Sequence, residues 1–335
     1  MAEDREEAAG EEPAGGFDFW ELYRYQKVMF RVVYATVPLM LAGVYFFGWR
    51  VLAMVAVSVV AGSFAEWLFC RARGEPISSA VFVTAVLYAL ILPPRTPFYV
   101  VVVGIVVAIV FGKEVFGGYA RNIFNPALVG RCFVYVCFPV ALTAEWLKPF
   151  AEWPAGLVHW ARSAEAFTRA TPLTMYRTGE GATALWRMLI GNVGGTAGAT
   201  SSLLIVGAGV YLALTKTANW RLIVGTLLGA LVASAAFHYG GAETVPGPVF
   251  TLFSGGLLFG AVYMVTDPIS AAQSNEGRWI FGIEVGILTV IIRGFSNWYE
   301  GVMFAILIGN MFNPIMEHYL RRYKSWRRER AEGES

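Results

Sequence analysis

A hydroxyl-rich segment between Glu165 and Thr174 holds the side chains best suited to covalent chemistry in this sequence. Pro172 follows Thr171 and favours an extended backbone at that threonine. A threonine hydroxyl is a weak nucleophile unless a neighbouring base activates it, and only His159 is a histidine close by in sequence. From its residues alone, we therefore expect this segment to be a polar loop without a covalent role.

Ionisable residues within or beside apolar runs form a second candidate group, and its acidic members include Glu114, Asp267 and Glu284. A charge is costly in hydrocarbon, so such groups mark ion or cofactor paths by default. We predict that these three carboxylates take part in ion coupling or lie in a cofactor region. The alternative is a structural ion pair at the inner surface, for example between Glu114 and Lys113 or Arg121.

The sequence offers little for metal or nucleotide chemistry. Its three histidines are too scattered for a haem or metal pair, and its three cysteines show neither a zinc spacing nor a CxxC pair, so no metal site is predicted. The glycine-rich stretch 191–202 lacks the lysine of a phosphate-binding loop. Its small residues are expected to allow close helix packing, or to form a turn that a ligand or a partner protein can approach.

The apolar content of the chain predicts a membrane protein. Of 335 residues, 56% are hydrophobic and 15% are charged, whereas a soluble domain carries about a quarter charged residues. Runs long enough to cross a lipid bilayer recur along the whole chain. Basic residues cluster at the ends of these runs, which is a topology pattern, so no nucleic-acid partner is expected.

Ten apolar runs are predicted to span the membrane in two groups of five, giving an all-α polytopic membrane protein. They lie near 28–47, 51–70, 78–92, 98–111, 123–142, 199–214, 222–239, 249–265, 279–292 and 301–319. The predicted units are a disordered acidic tail (1–24), a first five-helix repeat (25–142), an extracytoplasmic loop (143–198), a second five-helix repeat (199–320) and a basic tail (321–335). Because Lys and Arg concentrate in the loops on one side, both tails are predicted to be cytoplasmic.

The two halves share a motif: Asn122-Ile-Phe-Asn-Pro in the first resembles Asn310-Met-Phe-Asn-Pro in the second. With an odd number of spans per half, the second half would enter the membrane upside down. Inverted repeats with proline-broken helices typically bury a site where the repeats meet. The alternative is that both motifs are helix caps or kinks without a ligand. The candidate residues are Asn125, Pro126, Asn313 and Pro314.

Around Thr171, the pattern Thr-Arg-Ala-Thr-Pro-Leu resembles the flavinylation motif of the B subunit of the sodium-pumping NADH:quinone oxidoreductase and of its relative, the D subunit of the Rnf complex. The resemblance implies FMN joined through its phosphate to Thr171 by a phosphoester. Thr168 and Ala170 would be recognition positions for a separate flavin transferase. Glu165 stands where this family usually has Asp, and Arg169 where it usually has Gly. The Arg169 guanidinium is close enough in sequence to pair with the flavin phosphate.

The resemblance extends over nearly the whole chain. Lys113-Glu-Val-Phe-Gly-Gly, the Asn122 motif and Tyr263-Met-Val-Thr-Asp-Pro-Ile-Ser are similar to the family's signatures and follow the same order. The implied fold is urea-transporter-like, with two inverted five-helix repeats, which agrees with the shared motif. Glu114 and Asp267 lie in these signatures, so the resemblance places them at ion coupling or in a quinone region.

By this resemblance, the chain would be a flavin-carrying subunit of an ion-translocating respiratory complex in the cell inner membrane, with the 143–198 loop flavinylated outside. Covalent FMN and noncovalent riboflavin would pass electrons toward quinone or a partner protein, coupled to Na+ or H+ export. The partners would be other membrane and flavoprotein subunits. NADH oxidation is not expected of this chain, which shows no dinucleotide fingerprint.

Several alternatives remain open at this level. The Lys113-Glu-Val-Phe-Gly-Gly string favours the sodium-pumping quinone reductase, whereas the short N-terminal tail and the overall length favour the Rnf type. A flavin-free channel or transporter on the same scaffold is a third hypothesis, because fold does not fix function. A fourth is a scaffold protein whose flavin site has decayed.

Overall fold

The computed structural model describes residues 23–143, 146–150, 152–161, 167–168, 171–298 and 300–333. These residues are mostly helical, as predicted. Four helices are long and apolar enough to cross a membrane, at Lys27–Phe47, Arg50–Arg73, Phe98–Phe116 and Trp220–Tyr239. Three shorter apolar helices lie at Ala80–Leu90, Pro126–Cys137 and Ser202–Leu214.

Eight of the ten predicted apolar runs coincide with a single helix. The helices of the first half and the connecting region are α1 (Lys27–Phe47), α2 (Arg50–Arg73), α3 (Ala80–Leu90), α4 (Phe98–Gly112), α5 (Pro126–Cys137), α6 (Pro139–Thr143), α7 (Pro172–Arg177) and α8 (Leu185–Ile190). Those of the second half are α9 (Ser202–Leu214), α10 (Trp220–Tyr239), α11 (Pro248–Phe253), α12 (Leu257–Phe259), α13 (Asn275–Phe295) and α14 (Gly301–Gly333), with a π-helical turn at Gly260–Met264. Single 3₁₀ turns occur at Glu114–Phe116 and Ala155–Val158.

Two predicted spans are not continuous helices. The run 123–142 begins as a loop, and α5 ends before Pro139, which has no N–H to continue the helix. The run 249–265 is divided because Gly255 and Gly256 have φ of 61° and 70°, in the left-handed region that side chains disfavour. The break at Gly255–Gly256 lines the interior cavity described below.

Two short sheets hold the ends of the first half. Strand β1 (Tyr23–Arg24) pairs in parallel with β2 (Ile77–Ser78), so regular structure includes the last two residues of the predicted tail. Strand β3 (Trp146–Leu147) pairs antiparallel with β4 (Phe167–Thr168), with Trp146 opposite Thr168. The second sheet therefore fixes the chain three residues before Thr171.

Close glycine contacts join helices within the second half. Helices α10 and α13 approach so tightly that a Cβ added at Gly229 would lie 2.4 Å from the Ile283 carbonyl oxygen. One added at Gly286 would lie 2.2 Å from the Thr226 carbonyl oxygen. Small residues at helix contacts are the usual way for membrane helices to pack, because hydrocarbon gives no hydrophobic drive to associate.

Candidate functional site

Thr171 is the N-cap residue of α7. Its backbone is extended, with φ −81° and ψ 165°, which confirms the conformation expected before Pro172. Its Oγ1 accepts a hydrogen bond from the backbone N–H of Thr174 at 3.3 Å and lies 3.0 Å from the Thr174 hydroxyl. The side chain is half-buried, and these contacts hold its hydroxyl in place at the helix start.

The other residues of the predicted flavinylation motif are only partly visible. The backbone of Thr168 lies in β4 opposite Trp146. Glu165, Arg169 and Ala170 lie outside the described residues. The structure thus positions Thr171, while its role as flavin acceptor and the contacts of the recognition positions stay predictions.

Thr171 forms part of the wall of a cavity of about 300 Å³ that runs from α7 into the helical bundle. The remaining wall comes from the end of α3, from α5, from the 193–200 loop, from the Gly255–Gly256 break and from α14. Its wall combines polar and apolar side chains. The apolar members include Ile91, Leu128, Phe259, Met264 and Ile306.

A buried ion pair lies in the wall of this cavity. Arg131 on α5 and Glu300 before α14 form a salt bridge, and their side chains are 7% and 17% exposed. The Nε of Arg131 has no hydrogen-bond partner among the described residues. A guanidinium with an unused donor and a carboxylate beside it offer both donor and acceptor groups to a polar ligand in the cavity.

The glycine-rich stretch 191–202 is a loop up to Ser201, not part of a helix. Gly198 packs on the end of α3, where an added Cβ would lie 2.7 Å from Leu90 Cβ. Gly194 and Gly195 line the cavity, and an added Cβ at Gly195 would meet nothing within 4 Å. The stretch is therefore a turn, and Gly198 also allows close packing against the end of α3. The approach of a ligand or a partner protein to this turn stays a prediction.

The repeated motifs meet inside the molecule. Asn125 caps α5 by accepting from the backbone N–H groups of Ala127 and Leu128, and Pro126 occupies the first turn. The second copy, with Asn313 and Pro314, lies inside α14. Asn310 joins them, because its Oδ1 accepts from the Asn125 backbone N–H at 3.2 Å. Asn310 and Asn313 both donate to the carbonyl oxygen of Ser270, at 3.1 and 3.0 Å.

Buried charges gather at the end of α4. Lys113 pairs with Glu66 at 2.6 Å, and both side chains are almost fully buried. Glu114 pairs with Arg73 at 2.5 Å, so its partner is neither of the two cations expected, Lys113 and Arg121.

Asp267 lies on a different small cavity, of about 60 Å³, which also contains Lys113, Asn122 and Asn125. Its Oδ2 accepts from the Ser270 hydroxyl at 2.7 Å. Glu284 is half-buried among α13 side chains and lines neither of these two cavities. The three predicted carboxylates therefore do not converge on one cavity.

A family model described as "NQR2, RnfD, RnfE family" matches residues 21–325. The chain belongs to this family. The match covers both halves, the Thr171 cavity and the buried ion pairs at the end of α4, so the family resemblance is confirmed.

Two relatives illustrate the range of this family. The B subunit of the Na(+)-translocating NADH-quinone reductase of Azotobacter vinelandii is 38% identical over 282 residues, covering 80% of this chain and 66% of the relative. The D subunit of the ion-translocating oxidoreductase complex of Shewanella amazonensis is 35% identical over 323 residues, covering 88% of this chain and 92% of the relative. The chain thus spans 66% of the length of the quinone reductase relative, just under two thirds.

The structure shows contacts between residues that the sequence analysis did not connect. The pairing of Glu300 with Arg131, on the other half of the chain, has no signal in sequence spacing. Glu66 was likewise missed, although a carboxylate inside the apolar run 51–70 is a signal that could have found it. Thr171 lies in the wall of the larger cavity, and its role as a flavin attachment site stays a prediction.

Proposed function

We propose that this chain is the flavin-carrying membrane subunit of an ion-translocating respiratory complex, with FMN esterified to Thr171. The observation that carries the proposal is the cavity of about 300 Å³ that has Thr171 in its wall. Ligand pockets range from about 300 to 1,000 Å³, so the cavity is large enough for a compact cofactor ring.

The residues present fit a flavin. Thr171 would hold the phosphate, since its hydroxyl is fixed at a helix start and half-exposed. Arg131 and Glu300 would meet the polar edge of the ring, and the unused Nε of Arg131 is a donor available for it. Gly194 and Gly195 leave room for a flat ring, because neither presents a side chain to the cavity.

When bound, the flavin supplies one-electron transfer, while the protein holds, orients and shields it. The apolar side chains of the wall would keep water from the ring and lower the local dielectric, which would strengthen the contacts of Arg131 and Glu300. Riboflavin is not assigned to the small cavity beside Asp267, because the volume of that cavity, about 60 Å³, is well below the usual size of a ligand pocket. The Lys113–Glu66 and Arg73–Glu114 pairs support ion coupling at that end, together with Asp267.

The architecture proposed with this function has ten membrane helices in two inverted, urea-transporter-like repeats, with the unit boundaries predicted above. It is supported by the two copies of the Asn-x-Phe-Asn-Pro motif, which meet through Asn310. The protein would lie in the inner membrane beside the other members of its complex, with Na+ or H+ as the exported ion and quinone or a partner flavoprotein as the electron acceptor. A flavin transferase would load Thr171.

The sodium-pumping quinone reductase is the first candidate complex, on the motif at Lys113. The Rnf type is favoured by a different observation, since the alignment with the Shewanella relative spans 92% of that protein. Co-purification of the tagged chain from its native host would separate the two by the identity of the associated subunits.

Covalent flavin is tested by in-gel fluorescence of the denatured protein, coexpressed with a flavin transferase, and by peptide mass mapping. Wild-type protein is expected to fluoresce and to carry the FMN mass on the Thr171 peptide. Thr171→Asn should be dark, because asparagine keeps the helix cap but has no hydroxyl to esterify. Thr174→Ala, which keeps Thr171, should remain fluorescent. A bare Thr171 peptide in loaded host cells would contradict the proposal.

A further inference from the structure

Helix α14 is longer than a membrane crossing needs. Its 33 residues, Gly301–Gly333, correspond to about 50 Å at 1.5 Å per residue. The hydrocarbon core is about 30 Å thick and takes about 20 residues. A helix that enters at Gly301 leaves the hydrocarbon near Leu320, so its last turns lie at headgroup depth and beyond.

One face of α14 carries exposed large side chains from the membrane-spanning part into this extension. The members are Phe312, Ile315, Tyr319, Tyr323 and Trp326, between 46% and 63% exposed. At 100° per residue, intervals of three and four place all five within an arc of about 80°. The opposite face holds buried Asn310 and Glu317, and Lys324, which pairs with Glu276 at 2.6 Å. The exposed face therefore points away from the helix bundle.

The extension is strongly basic. Its cations are Arg321, Arg322, Lys324, Arg327, Arg328 and Arg330, against two carboxylates, Glu329 and Glu332. Helical geometry places Arg322 and Arg327 on either side of the aromatic residues. The Arg330 guanidinium lies 5.5 Å from the Trp326 ring centre, and the Tyr323 and Trp326 rings stack at 6.2 Å. We define the basic-aromatic face as Tyr319, Tyr323, Trp326, Arg322, Arg327 and Arg330.

We propose that the basic-aromatic face binds anionic phospholipid headgroups of the inner leaflet. Tyrosine and tryptophan prefer the membrane interface, where the ring is apolar and its edge is polar. The negative leaflet surface attracts each nearby Lys or Arg enough to raise affinity about fivefold. Depth, aromatic content and charge thus agree on one ligand class. The proposal rests on the membrane placement of α14 and not on the flavin.

Native mass spectrometry of the full-length chain in detergent tests this proposal, with phosphatidylglycerol titrated against phosphatidylcholine. Wild-type protein should retain phosphatidylglycerol at least about tenfold more tightly than phosphatidylcholine, on the charge attraction given above. The triple variant Arg322→Gln, Arg327→Gln, Arg330→Gln should lose about a hundredfold in phosphatidylglycerol affinity, because it removes three cations that contribute about fivefold each. The variant with Lys at the same three positions should keep its phosphatidylglycerol affinity, because headgroup attraction depends on charge. It also controls for misfolding of the triple Gln variant.

The matched control removes three inner-side cations on other elements, with Arg71→Gln, Arg121→Gln and Arg221→Gln, and should leave the affinity within about twofold. An equal loss in the control would overturn the proposal, because binding would then follow net charge and not this face. The proposal would also fail if the α14 triple variant kept its lipid affinity but lost a co-purifying protein. That result would make the face a protein interface.

Discussion

At the scale of single residues, Thr171 combines a structural and a proposed chemical role on one oxygen. Its Oγ1 caps α7 by accepting from the Thr174 N–H, which needs only a lone pair. A phosphoester would remove the hydroxyl proton but leave the oxygen as an acceptor, so loading need not unfold the helix start. Loss of the cap alone costs about 1 kcal/mol. This is why asparagine, and not alanine, isolates the chemical role.

Arg131 and Glu300 permit a second residue-scale prediction. Glu300→Gln should lower the free energy of unfolding by about 3 kcal/mol, because it leaves the buried Arg131 charge without its counter-ion. This is the low end of the range for buried pairs, since Glu300 keeps 17% exposure. The measurement is SDS titration of the purified protein in mixed micelles, followed by circular dichroism.

The control for this pair is the double variant Arg131→Met, Glu300→Met. Replacing both charges by apolar side chains of similar length removes the unpaired charge, so most of the lost stability should return. The loss of stability in the double variant is compared with the summed losses of the single variants Arg131→Met and Glu300→Met. If the two values are equal, the side chains do not interact and the pair has been wrongly assigned.

At the scale of helices and loops, the sequence predicts those helix bounds that depend on local composition. The predicted run 28–47 agrees with α1 to within one residue, because a run of apolar side chains must be helical to satisfy its backbone in lipid. The Asn125-Pro126 pair is likewise a local helix-start signal, and it caps α5 as its residue types suggest.

Other features depend on partners distant in sequence. The break at Gly255–Gly256 was missed because hydropathy averages over two glycines inside an apolar run, although their φ values forbid a continuous helix. The extension of α14 was missed because its charged residues end the hydropathy signal while remaining good helix formers. The Thr171 cavity needs α5, α14 and two loops to meet, which no local pattern specifies.

The contact between the two copies of the Asn-x-Phe-Asn-Pro motif leads to a prediction about stability. Asn310 is 1% exposed, and Asn310→Leu would leave the Asn125 N–H without its partner, at a cost of about 1–3 kcal/mol. Asn313→Leu should cost less than about 1 kcal/mol by the same SDS titration, because the Ser270 carbonyl keeps its bond from Asn310. Equal losses for both variants would show that the motifs are not joined through Asn310.

At the scale of the whole molecule, α13 separates two ends with different chemistry. Arg177 is the last residue of α7, the helix that Thr171 caps. It donates to the carbonyl oxygens of Arg293 and Ser296 at the C-terminal end of α13. Lys324 pairs with Glu276 at the N-terminal end. The 21 residues of α13 extend about 30 Å, which matches the hydrocarbon thickness. With α13 spanning the membrane, as proposed above, the Thr171 cavity and the basic end of α14 would belong to opposite membrane faces.

This separation predicts a specific labelling pattern. In a background with Cys70, Cys132 and Cys137 changed to Ala, Glu180→Cys should react with a membrane-impermeant maleimide in intact cells. Glu329→Cys should react only after the membrane is permeabilised, because the positive charge of the α14 extension keeps it on the cytoplasmic side. Both replace an exposed glutamate, so the thiols start from matched surroundings. Labelling of both in intact cells would place the two ends on one face and contradict the predicted extracytoplasmic position of the 143–198 loop.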